Sequence, residues 1–162
     1  MTASSRDIPA RAALAATAAL SLLVTVPLCA QAQQAVILVT NEEAALPPLP
    51  ESGEQGKGIT RGPGIEPLTP GNGVTIAAPT PFRIRFTQRN DVPINPDKVR
   101  VTYLRNQPVD ITLRLRSYVT PNGIDIPLAS VPPGHHVFRI QAEDGLGRQT
   151  TAVFHFDAKG KN

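Results

Sequence analysis

Phe82-Arg83-Ile84-Arg85-Phe86-Thr87 places large apolar side chains at every second position and polar ones between them. A strand turns successive side chains to opposite faces, so this run buries Phe82, Ile84 and Phe86 and leaves Arg83, Arg85 and Thr87 to solvent. A helix would scatter the same residues around its circumference. The stretch therefore predicts a half-buried strand.

The same period recurs downstream between turn residues. After Asn90-Asp91 and Asn95-Pro96-Asp97, Val99, Val101 and Tyr103 alternate with Arg100 and Thr102. Pro133-Gly134 ends a loop, after which Phe138, Ile140 and Ala142 alternate with Val137, Arg139 and Gln141 up to Asp144-Gly145-Leu146-Gly147. Thr150 to Asp157 follows, with Phe154 and Phe156 on one face, so the last two runs predict a closing hairpin. Asp144, Gly145 and Gly147 suit positions that need side-chain-to-backbone bonds or positive φ. Ile124 to Leu128 is a further short strand. Val109 to Val119 fits both periods, since Val109, Ile111, Leu113 and Leu115 alternate while Ile111, Leu115, Tyr118 and Val119 follow helical spacing. With Asp110 as cap and Pro121-Asn122-Gly123 as stop, a short helix or helical turn is expected near 110–119. Together these elements predict an all-β chain: an antiparallel sandwich of about seven strands, with Phe82, Phe86, Phe138, Phe154 and Phe156 sharing one interior.

The amino terminus is of another kind. Arg6 and Arg11 precede an apolar run from Ala12 to Val26, and Ala30-Gln31-Ala32 offers the small residues that a signal peptidase accepts. The run is about 15 residues, short of the ~20 needed to span a bilayer. Residues 1–32 are thus expected to be a signal peptide cleaved before Gln33, with no stable membrane anchor and a periplasmic or extracellular product. Cys29, the only cysteine, follows Leu28 where a lipoprotein site requires a small residue, and is expected to leave with the peptide. Structural disulfides, thiol catalysis and cysteine metal sites are then excluded. Removing Arg6, Arg11 and Asp7 from 16 basic and 13 acidic residues leaves 14 and 12. With no Lys/Arg block and no tryptophan, nucleic-acid binding is not expected. Residues 33–62, rich in Pro, Gly and Glu, predict a flexible leader, in which Val36 to Val39 is either part of the leader or an edge strand. Residues 159–162 predict a disordered tail.

Val99 to Leu104, Asp110-x-Thr112, Pro132-Pro133-Gly134-x-His136 and Asp144-x-x-Gly147 occur in the order found in bacterial immunoglobulin-like domains of secreted proteins, which residues 63–158 resemble. There a strand precedes a DxT crossover, PGxH opens the penultimate strand and DxxG ends it. The resemblance implies a Greek-key sandwich and structural roles for Asp110, Thr112, Gly134, His136, Asp144 and Gly147. Arg148 stands where many such domains carry Asn. Domains of this kind serve as adhesive, carbohydrate-binding, spacer or assembly modules, and fold alone does not choose among them.

Chemistry-bearing residues are few. His135 and His136 are adjacent in a strand and point to opposite faces, so they cannot chelate one ion together. Pairing Phe138 with Phe154 sets His135 opposite Asp157 and Val137 opposite His155, which makes His135, His155 and Asp157 the candidate metal-ligating set; otherwise the two outer histidines are simply solvated. No cofactor is expected. Ser117 and Ser130 lack a nucleophile elbow, and although Asp110, Asp125, Glu143 and Asp144 could supply a glycosidase carboxylate pair, turn and capping roles account for three of the four more readily, so no enzyme is expected. Arg83, Arg85, Arg114 and Arg116 form a candidate basic surface for an anionic glycan or an acidic partner segment, or ordinary solvated strand faces that discourage edge aggregation. Tyr103 and Tyr118, without tryptophan, make a poor sugar platform. The expected function is a non-catalytic module for interaction with an envelope or extracellular protein, or for spacing. The alternatives are an anionic or carbohydrate ligand, and then weak metal binding or hydrolysis.

Overall fold

The computed structural model describes residues 34–49 and 61–160 of the chain. Residues 1–33, which include the expected signal segment 1–32, its expected cleavage site and Cys29, lie outside the described residues, as do residues 50–60 and 161–162.

The described residues form two sheets. The first runs in the order β1 (Val36–Ile37), β8 (Gly123–Ser130), β4 (Thr80–Thr87) and β2 (Gly64–Thr69), with β7 (Val119–Thr120) also on β8. The second runs β3 (Val74–Ala77), β10 (Gln149–Lys159), β9 (Gly134–Glu143), β5 (Arg100–Tyr103) and β6 (Val109–Asp110). The chain changes sheet between β2 and β3, between β3 and β4, between β4 and β5, between β6 and β7, and between β8 and β9. This crossing over is the arrangement of an immunoglobulin-like sandwich, in which β2, β4 and β8 face β3, β10, β9 and β5.

Period-two burial builds the interior. Phe82, Ile84 and Phe86 are buried from the first sheet, and Val101, Tyr103, Phe138, Ile140, Ala142, Phe154 and Phe156 from the second. All five phenylalanines turn inward, as expected. Phe138 lies between Phe154 and Phe156, with ring centroids 5.7 and 5.5 Å apart, and Phe82 meets it edge-on at 5.8 Å from the opposite sheet. Such contacts add about 0.5–1.5 kcal/mol each to the burial of the rings. Gly123 is required by the same packing, because its φ is +150° and a Cβ there would stand 2.0 Å from the Ile84 carbonyl oxygen.

The crossover region is helical first and extended afterwards. A four-residue helix, α2 (Thr112–Leu115), is followed by a 3-10 turn over Arg116–Tyr118 and then β7. Asp110 ends β6, one residue before the cap position at Ile111, yet its Oδ1 accepts the Thr112 N–H at 2.8 Å and so holds the first turn. The Thr112 hydroxyl accepts the Val101 N–H at 2.9 Å, fastening the helix to β5.

Three expectations need correction. Residues 34–49 are not a free leader: β1 pairs with β8 at Ala129 and Ser130, a helical turn α1 (Asn41–Ala44) follows, and Leu38 and Val39 are 1% and 2% exposed. The edge strand is thus present, and β4 already occupies the other edge of β8, so β1 and β7 share one edge at its two ends. The sheets are not wholly antiparallel, because β1–β8 and β3–β10 pair parallel. Nor does the domain stop at 158, since β10 continues through Lys159, which pairs with Ala77.

Candidate functional site

The closing hairpin adopts the expected register, with Phe138 opposite Phe154, His135 opposite Asp157 and Val137 opposite His155. Because the phenylalanines point inward, His135, His155 and Asp157 emerge together on the outer face. Their geometry is close: the His135 and His155 ring centroids lie 5.3 Å apart, and His135 Nδ1 is 3.0 Å from Asp157 Oδ1. The turn between β2 and β3 abuts them, since Gly73 N–H donates to the His155 carbonyl at 2.7 Å and Asn72 Oδ1 accepts the His155 N–H at 2.9 Å. Among the described residues, no three His, Asp or Glu side chains converge on one point.

His136 points the opposite way and is fully buried. Its Nε2 donates to the Pro132 carbonyl at 2.7 Å, and its Nδ1 accepts the Tyr103 hydroxyl at 3.1 Å. These bonds suit the neutral ring, and burial holds its pKa below the ordinary histidine value, with the Arg105 charge acting in the same direction. Burial likewise raises the Tyr103 pKa. His136 thus fastens the loop before β9, and Tyr103, wholly enclosed, offers no surface to a sugar ring.

Asp144 is also structural. Burial works to raise its pKa, but Oδ1 accepts the Leu146 and Arg148 N–H groups and Oδ2 accepts Arg148 Nε at 2.6 Å; the balance holds the carboxyl below its usual value. Arg148 reaches on to the Arg89 carbonyl at 3.1 Å and so joins two loops. Gly147 has φ +76° and Gly134 φ +133°, conformations that favour glycine. The other carboxylates weighed for a glycosidase pair have partners of their own: Asp125 pairs with Arg83, Asp110 with Thr112 and Arg100, and Glu143 with Gln149.

The four arginines do not sit on one element, and each has an acidic neighbour. Arg83 pairs with Asp125 at 2.9 Å and Arg85 with Glu66 at 3.7 Å, both across strands on the outer face of the first sheet. Arg116 pairs with Asp97. Arg114 donates from both Nη atoms to Glu43, at 2.5 and 2.7 Å, and from Nη1 to the Leu38 carbonyl at 3.2 Å. The candidate basic surface therefore divides: Arg114 and Arg116 serve the fold, whereas Arg83 and Arg85 flank an open groove of about 320 Å³. Its walls include Leu68, Ile84, Gly123 and Ile124.

Two features went unread in the sequence. Thr40-Asn41-Glu42-Glu43 has the spacing of a capping box, and both reciprocal bonds are present at 2.9 and 3.2 Å. Arg105, buried against the Tyr103 ring at 4.9 Å and donating to the His135 carbonyl at 3.0 Å, carried no local signal.

No protein-family model matches the chain, and no curated protein matches its sequence. It is similar in fold to solved structures at low identity. The endo-beta-1,4-mannanase from Thermotoga petrophila is 13% identical over 65% of this chain, with TM-score 0.42, and the match spans only 21% of the mannanase chain. CopC from Methylosinus trichosporium OB3b is 13% identical over 61% of this chain and 98% of its own, with TM-score 0.42. The fibronectin(III)-like modules of CbhA from Clostridium thermocellum are 15% identical over 59% and 96%, with TM-score 0.38. Similarity at this distance says nothing of activity.

Proposed function

We propose that this chain is an exported, non-catalytic immunoglobulin-like module that works in the periplasm or outside the cell and binds an acidic, extended segment of a partner protein along the outer face of β4 and β8. The observation that carries this reading is the groove between Arg83 and Arg85. Gly123 and Ile124 line it between the two strands, Leu68 at 39% exposure gives an apolar rim, and the two guanidinium-bearing side chains are 51% and 59% exposed. Both arginines already hold surface carboxylates, and exchange of exposed ion pairs costs little, about 0–1 kcal/mol each. A partner's Asp or Glu can therefore take the place of Asp125 or Glu66, while its apolar side chains cover Leu68. The remaining candidates for chemistry, Asp110, Asp144 and His136, are engaged in holding the backbone. The export half of the proposal rests on residues 1–32.

The test compares the protein with its Arg83→Ala/Arg85→Ala double variant on two supports: envelope extract, and an immobilised acidic polysaccharide. Retention of specific proteins that is lost in the double variant and weakened by salt supports the reading. Equal capture by both forms overturns it, and Arg-dependent retention on the polysaccharide alone transfers the site to a glycan ligand.

A further inference from the structure

We propose that His135 and His155 form a two-histidine site for a borderline divalent transition ion, zinc in the first place, on the outer face of the β9–β10 hairpin, with Asp157 as its positioning residue. The site is separate from the β4–β8 groove and does not depend on it.

Distance is the first support. A zinc–nitrogen bond of about 2.1 Å sets an imidazole centroid about 3.2 Å from the ion, so two rings at a tetrahedral angle have centroids about 5.2 Å apart. The observed separation is 5.3 Å. The hairpin register produces it, because diagonal outward positions of an antiparallel pair bring long side chains within reach of each other.

Tautomer is the second. His135 Nδ1 lies 3.0 Å from Asp157 Oδ1; donating Nδ1–H to that carboxylate leaves the lone pair on Nε2, the arrangement by which carboxylates prepare metal-binding histidines. His155 has its backbone pinned on both sides by Asn72 and Gly73. Gly73 also matters at the ring, since even a Cβ there would stop 3.6 Å from His155 Nε2, and the bare glycine leaves that nitrogen more room.

Donor chemistry selects the ion. Two imidazoles, with water completing the shell, suit zinc, nickel or copper(II) better than calcium or magnesium, and there is no thiolate or thioether among the described residues to favour softer ions. Both rings reach solvent, so the ion enters and leaves without opening the fold.

Zinc chloride titration of the purified chain, followed through the ring-nitrogen resonances of the three histidines, tests the site. His135 and His155 should shift together and saturate at one ion per chain, while buried His136 stays fixed and reports an intact fold. His135→Ala and His155→Ala should each weaken binding at least tenfold, and Asp157→Asn about tenfold. Before any zinc is added, Asp157→Asn should also move His135 toward its Nε2–H tautomer, a signature that lost packing would not give. Zinc that shifts neither ring, or only one, overturns the proposal, as does undiminished binding by His155→Ala with His136 unperturbed.

Discussion

Glu43→Gln tests whether residues 34–49 are a working part of the sandwich. In the folded chain the Glu43 carboxylate receives both Arg114 Nη groups and the Thr40 N–H, and the Arg114 side-chain bond, the largest influence, brings its pKa from 4.5 down to about 2. Taken whole, that drop corresponds to about 3 kcal/mol. The Arg114 side chain is 37% exposed, so water screens the pair, and about 1–2 kcal/mol is the expected loss on substitution. The sign with pH follows from a depressed carboxylate. Its contribution is complete above the unfolded value of 4.5 and disappears as pH falls from 4.5 to about 2. Urea unfolding of the two proteins should therefore show a constant gap at neutral pH that closes on acidification. Other carboxylates titrate in the same window, but they are common to both proteins and cancel in the difference. Hydrogen exchange gives an independent reading, since the Leu38 N–H, bonded to the Ser130 carbonyl at 3.0 Å, should lose protection in Glu43→Gln. No gap at neutral pH, or a gap of the same size below the folded pKa, would refute the role assigned to the ion pair.

Thr112→Val keeps the shape of the side chain but leaves the buried Val101 N–H without its acceptor, and should lower the unfolding free energy by about 1–3 kcal/mol in urea, with Thr112→Ser restoring most of it. Tyr103→Phe removes the hydroxyl bonded to His136 Nδ1 without changing the packing of the ring, and should cost about 1–2 kcal/mol by calorimetry; an unchanged transition would remove the pair from the account of the core.

The sandwich was legible because its core obeys one rule. Wherever a strand has a wet face and a dry one, its apolar residues recur at every second place, and the runs around Phe82, Val101, Phe138 and Phe154 are long enough to show it. The helix near 110–119 was legible for a different reason: Asp110 supplies a local cap, its Oδ1 accepting the Thr112 N–H in the first turn. Residues 34–49 obey neither rule. Leu38 and Val39 are consecutive and both buried, β1 pairs through only two residues, and the prolines that follow are those of an unfolded stretch. Its attachment depends on Arg114, 71 residues away from Glu43 in sequence, and a contact of that span leaves no periodic trace. The same holds for the basic surface: Arg83 and Asp125 are 42 residues apart, so a run of arginines looks unbalanced until the strands are placed side by side. Thr40-x-x-Glu43 was the exception, a local signature that was there to be read.

Fold and candidate metal site are not independent in this chain. Side chains alternate with a period of two, so the register that turns Phe138, Phe154 and Phe156 into the interior is the register that turns His135, His155 and Asp157 out. A slip of one residue would expose three phenylalanine rings and bury a histidine pair with a carboxylate, a penalty of several kcal/mol on both counts. The hydrophobic core therefore does more than hold the sheets together: its preference for one pairing fixes the distance between two imidazoles on the opposite face. Any substitution that loosened the register from within, at Phe138 or Phe156, should separate the histidines outside before it unfolds the domain.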